Sequence, residues 1–248
     1  MSEEKLKFPT EVVELPSNGI VYPKDNPLSS GKVEMKYMTA KEEDILTNQN
    51  LIKNGTVIDK VLESLIMDDV QLDDMLIGDK NAIMVSARIL GYGKDYQFNY
   101  DGEEQTVDLS KLEPVDIDFK KFTKGVNEFS YELPNSKRTV TFKLLTARDE
   151  KNIEVDLKAL KKVSKERSSE LTTRLKRVLL SVDGNNDKTH VNNFVDNEFL
   201  SRDSLAFRKH LSSMTPDIDM STYIDVDGEE IEVTIPVTLR FFWPAAGV

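Results

Sequence analysis

Forty-four Asp and Glu residues, two His and no Cys make up most of what this sequence offers for chemistry. Without a thiol there is no cysteine nucleophile, zinc ribbon, iron–sulfur cluster or disulfide framework. His190 and His210 are too few for a zinc-enzyme ligand triad. The run Asp183-Gly-Asn-Asn-Asp187 imitates the first ligands of a calcium loop. It fails where Lys188 replaces the required glycine and Phe194 the bidentate acid, and so reads as a polar loop. Gly91-Tyr-Gly93 follows a helical pattern rather than a strand and lacks the third glycine of a dinucleotide fingerprint. No Gly-x-Ser-x-Gly elbow is present. Carboxylate pairs are abundant, but none has the apolar flanks that would raise a pKa for general-acid work. The expectation is therefore a non-enzymatic chain with no catalytic residues, no cofactor and no metal.

The residues that could bind are distributed unevenly. Thirty-three Lys and Arg against the 44 acids give a net charge of −11, which opposes binding to a phosphate backbone and makes nucleic acid a poor partner. Yet residues 151–177 hold nine basic and four acidic side chains, a charge of +5, leaving 24 basic against 40 acidic and −16 elsewhere. Lys158, Lys161, Lys162, Lys165 and Arg167 are candidates for docking an acidic partner, another protein or a second copy of the chain; the alternative is a solvated helix face. The chain ends in Leu239-Arg-Phe-Phe-Trp-Pro-Ala-Ala-Gly-Val248. Phe241, Phe242 and Trp243 either pack on their own domain or anchor a partner. No apolar run is long enough to span a membrane, and Met-Ser-Glu-Glu-Lys does not begin a signal peptide.

The sequence also resembles itself. Val33-Glu-Met-Lys-Tyr-Met-Thr-Ala-Lys-Glu-Glu-Asp-Ile45 aligns without gaps on Val140-Thr-Phe-Lys-Leu-Leu-Thr-Ala-Arg-Asp-Glu-Lys-Asn152. Glu-Leu-Pro precedes each copy, at 14–16 and 132–134, and Asp-Gly-Glu-Glu follows each, at 101–104 and 227–230. Between these landmarks, Met75 to Ala82 weakly matches Phe199 to Ala206. The later offsets exceed the first by about 17 residues, an insertion placed most economically within the basic helical segment.

Each copy predicts the same elements. Alternation at Val33, Met35, Tyr37 and at Val140, Phe142, Leu144 predicts a half-buried strand. Thr39 with Glu42 and Thr146 with Asp149 predict capping boxes, giving the acids Glu42, Glu43, Asp149 and Glu150 a structural role. Ile45, Leu46, Leu51 and Ile52 form a stripe ending at Asn54-Gly55; Thr56 with Asp59 opens a second helix, and a third spans 79–89. In the second copy the stripes Ile153, Leu157, Leu160 and Leu171, Leu175, Val178, Leu179 fit one long helix or a helical hairpin. Asp101-Gly102 and Asp227-Gly228, between alternating runs, predict tight β-hairpins. The fold class is α+β, as two tandem units at 1–125 and 126–248 produced by internal duplication.

The stretch Glu14-Leu-Pro-Ser-Asn-Gly-Ile-Val-Tyr-Pro23, the helix start Met38-Thr-Ala-Lys-Glu-Glu-Asp-Ile-Leu46 and Ile52-Lys-Asn-Gly-Thr-Val-Ile-Asp59 resemble, in that order, the baseplate hub assembly family of T-even-type contractile-tail bacteriophages. The resemblance is best over about residues 10–115. Its hairpin often carries cysteines in a ribbon-like knuckle in that family; Phe98, Asn99 and Tyr100 stand there in this sequence, which removes the thiolate ligands such a metal would need. The resemblance implies a component or assembly factor of the baseplate hub and central spike, made in the host bacterial cytoplasm and binding other hub or spike proteins. A transient assembly chaperone absent from the virion and a carboxylate-dependent hydrolase are the alternatives.

Overall fold

A computed structural model describes residues 9–163, 169–226 and 228–242, an α+β fold with eight α-helices and nine strands in four small antiparallel sheets among those residues. β1 (Thr10–Glu14) pairs with β2 (Lys32–Lys36), burying Val13, Val33 and Met35. Thr39 then starts α1 (Ala40–Leu46), followed by α2 (Gln49–Asn54), α3 (Val57–Leu65) and α4 (Ile77–Tyr92). The stripe from Ile45 to Ile52 is thus two helices rather than one. Asn48 breaks it, its side chain accepting the N–H groups of Asn50 and Leu51 as an N-cap. The hairpin β3 (Asp95–Tyr100) and β4 (Glu103–Asp108) turns through Asp101 and Gly102, both at positive φ, as a two-residue turn matched to strand twist requires. Phe98 is buried, and the Asn99 Oδ1 accepts the Gly102 N–H at 3.0 Å to close the turn.

The second half also opens on an antiparallel strand pair followed by a helix and closes on a β-hairpin. β5 (Phe129–Glu132) pairs with β6 (Thr139–Phe142), and Thr146 precedes α5 (Ala147–Val163). There follow α6 (Glu170–Val178), β7 (Leu179–Val182), α7 (Lys188–Asn193), a π-helical turn at Phe194–Glu198, α8 (Ser201–Met214) and the hairpin β8 (Ser221–Val226) with β9 (Glu229–Thr234). α5 and α6 pack on each other: the Arg174 guanidinium grips the Glu150 carboxylate at 2.6 and 2.7 Å. In one continuous helix those residues would stand about 36 Å apart, so a single long helix is ruled out. Leu179, expected on the helical stripe, is instead the first residue of β7 and pairs with Phe142.

Thr39 and Thr146 are 107 positions apart and the starts of α4 and α8 124; β7 and α7 lie between α6 and α8.

Backbone hydrogen bonds join the two halves. Ala147 N–H donates to Met75 O at 2.8 Å, Val115 N–H to Asp217 O at 2.8 Å, and Asp219 N–H to Glu113 O at 2.9 Å. Gly78 lies so close to Pro216 that a Cβ on it would sit 1.9 Å from the Pro216 carbonyl oxygen. The buried apolar residues of both halves form one contiguous core. Phe241 and Phe242 belong to it, fully buried, with Phe241 edge-on to Tyr96 at 4.9 Å. Their reading as partner anchors is corrected: a side chain with no exposed surface has none to offer a partner. Trp243, Lys165 and Arg167 lie outside the described residues.

Candidate docking surface

The acids at the helix starts are committed to the fold. Glu42 is fully buried and accepts hydrogen bonds from Thr39 N–H at 2.9 Å, the Thr39 hydroxyl at 2.6 Å and the Lys36 ammonium at 2.9 Å. Burial by itself would raise this carboxyl; the three donors outweigh it and hold the pKa at about 2. Thr39 and Glu42 thus form the expected capping box, with the Thr39 hydroxyl also donating to the acid. At the second start, Asp149 accepts from Lys143 at 2.8 Å and from Thr146 N–H at 3.2 Å, and its own N–H donates to the Thr146 hydroxyl at 3.3 Å, a reciprocal box.

A second set of carboxylates was not singled out by sequence reasoning. Asp79, third residue of α4, accepts Ser17 N–H at 2.9 Å, the Ser17 hydroxyl at 2.7 Å and the Tyr22 hydroxyl; the Tyr22 oxygen in turn accepts Leu76 N–H at 2.8 Å. Burial pushes the Tyr22 hydroxyl far above its ordinary value, with the neighbouring Asp79 carboxylate adding to it. The cluster is sealed from solvent, so its chemistry is to tie the loop after Glu14-Leu-Pro16 to α4. Asp203, third residue of α8, does the same for the loop after Glu132-Leu-Pro134, accepting Asn135 N–H at 2.8 Å and Ser136 N–H at 2.9 Å. The signal was present in the repeated Glu-Leu-Pro and in the weak match that aligns Asp79 with Asp203.

The remaining polar candidates are likewise engaged. Asp183 accepts from Arg138 Nε and Thr139 N–H, both at 2.8 Å, and Asp187 caps α7 by accepting His190 N–H at 2.9 Å. His210 stacks on Tyr131 at 4.3 Å, and burial lowers its pKa. Among the described residues no group of three or more His, Asp or Glu side chains is arranged to hold a metal ion, and no helix is long and apolar enough to cross a membrane.

What is left is a surface built by α5 and α6. Beyond Ile153, no described side chain of α5 is fully buried: Leu157 is half-buried, and Val155 and Leu160 are exposed, as is Leu171 on α6. Amphipathic patterning fails there because a helix of 17 residues outruns the core beneath it. Val155, Lys158 and Lys162 stand at i, i+3 and i+7 and so share one face of the helix. Lys158 pairs with Glu154 at 3.2 Å; Lys161 and Lys162 are exposed, and no ion pair joins either to another described residue. Several other basic residues of the segment are used internally: Lys151 bridges Asp59 and Asp73, Arg177 pairs with Asp156, and Lys176 with Asp196. Beside this face lies an open groove of about 650 Å³, with Leu179 and Val191 buried in its wall, Leu160 exposed beside them, and Lys176, Arg177 and Lys188 among its cations. Comparison of the chain with protein-family models, with curated proteins and with solved structures found no match.

Proposed function

We propose that this chain is a non-enzymatic protein of a contractile phage tail, a component or assembly factor of the baseplate hub and central spike, which works by docking on other proteins through the α5–α6 face. The observation that carries the docking role is the outer half of α5, where exposed Val155 and Leu160 sit beside the cations Lys158, Lys161 and Lys162 on an otherwise acidic chain. Apolar contacts of this kind supply residence time, while unlike charge raises the encounter rate and selects the partner. The phage assignment rests on the resemblance at residues 14–59. The ordered recurrence of a capped helix, a loop-binding Asp and an Asp-Gly hairpin in each half supports descent of the two halves from one duplicated unit.

The test is the association rate with hub and spike proteins of the same phage, measured against ionic strength, for the native chain and for Lys161→Glu, Lys162→Glu, Lys165→Glu. The triple variant should stay folded and associate more slowly, most of all at low salt. Equal rates at every salt concentration would reduce the segment to a solvated helix face. Mass spectrometry of purified particles would then separate a permanent subunit from a departing assembly factor.

A further inference from the structure

The groove beside α6 and the hairpin β8–β9 are complementary, and every copy of the chain carries both. One face of that hairpin, away from the core, presents Ser221, Tyr223 and Asp225 opposite Thr234, Glu232 and Glu230. Tyr223 is 68% exposed, the most exposed large hydrophobic side chain among the described residues. Asp225 stands directly across from Glu230, a like-charge pairing that weakens an isolated hairpin. Among the described residues no cation lies within ion-pair distance of Asp225, Glu229, Glu230 or Glu232. The other hairpin handles its facing acids differently: Asp95 is opposite Asp108, and Lys94 neutralises Asp108. The groove offers exposed Leu160 and a rim of cations, of which Lys188 has no ion pair among the described residues while Lys176 and Arg177 are already paired with Asp196 and Asp156, and its volume suits an aromatic side chain and its flanks.

We propose that the acidic face of the β8–β9 hairpin of one copy seats in the α6–β7–α7 groove of a second copy, with Tyr223 against the exposed Leu160 and with Glu230 and Glu232 facing Lys188 and the neighbouring Lys176. This rests on the docking function argued above and names a partner for it. Because two different patches meet, the contact is head-to-tail, and successive copies close into a ring or continue as a filament.

Sedimentation of the full chain over a range of concentrations tests this at low and high salt. The native chain should exceed its monomer mass of 28.2 kDa at low salt and return towards it at high salt. Lys176→Glu with Lys188→Glu reverses the groove, and Glu230→Lys with Glu232→Lys reverses the hairpin. Each double variant alone should associate roughly tenfold or more weakly than the native chain. Mixed in equal amounts, the two should associate again, a rescue that misfolded chains would not give. A native chain that stays monomeric at every concentration and salt, or variants whose mixture stays monomeric, overturns the proposal. A chain that is monomeric yet binds acidic hub proteins through Lys161 and Lys162 would overturn self-association alone and leave the docking function in place.

Discussion

Asp79 and Asp203 hold the same position in two helices, the third residue of α4 and of α8, and each binds the loop that follows a Glu-Leu-Pro. Their titration is nevertheless opposite. Burial raises Asp79, and the neighbouring Asp217 carboxylate adds to it, against the lowering effect of the Tyr22 and Ser17 hydrogen bonds. Burial would raise Asp203 too, but donors from Asn135 and Ser136 outweigh it and hold it at about 2.

Opposite shifts predict opposite pH dependence. Asp203 lies below its unfolded value of about 3.9, so its contribution is present above that pH and is lost as pH falls towards 2. Asp79 lies above its unfolded value, so its contribution is full in acid and is lost as pH rises through the folded pKa. The stability gap between native chain and Asp203→Asn should narrow on acidification, whereas the gap to Asp79→Asn should shift in favour of the native chain. Urea denaturation from neutral pH to about pH 2 reads both; parallel curves for the two variants would contradict the assignment.

The helix starts can be weighed by truncation. Thr39→Ala and Thr146→Ala should each cost about 1 kcal/mol, the usual loss of an N-cap. Equilibrium denaturation unchanged in both would return Glu42 and Asp149 to consideration as functional acids.

Gly78→Ala probes the seam between the halves. Its methyl group would lie 1.9 Å from the Pro216 oxygen, backbone against backbone, so the seam has to open. A loss of about 1–3 kcal/mol or more is expected from overpacking of this kind. A thermal melt indistinguishable from the native one would show that the seam yields freely.

Phe241→Ala and Phe242→Ala should each destabilise by about 3–5 kcal/mol, as for any buried phenylalanine emptied to a cavity. Full stability combined with weakened partner binding would reverse the conclusion that these rings belong to the core.

Local signals were legible in the sequence because their partners are neighbours. Asp101-Gly102 needs only positive φ at two adjacent residues, and Thr146 finds Asp149 three positions on. The helix break at Asn48 was missed because an apolar stripe runs straight across it, although the side chain that caps α2 is itself a strong signal. The role of Glu-Leu-Pro was hidden for another reason: Ser17 and Asp79 are 62 positions apart, and no local pattern connects them. The termination of α6 at Val178 depends on the edge of β6, a tertiary partner that periodicity does not contain. Of the docking surface, the cations were legible by counting charge, while the groove needed three elements brought together.

The Tyr96 hydroxyl donates to the carbonyl of Pro236, and its ring meets Phe241. On the ribosome this has a consequence in time. The hairpin bearing Tyr96 and Phe98 leaves the exit site complete, yet the residues that cover Tyr96 are made about 140 positions later. At a synthesis rate of roughly 5–20 residues per second, the nascent chain carries that aromatic face uncovered for on the order of ten seconds. During that interval it is open to whatever holdase or sister nascent chain is nearby.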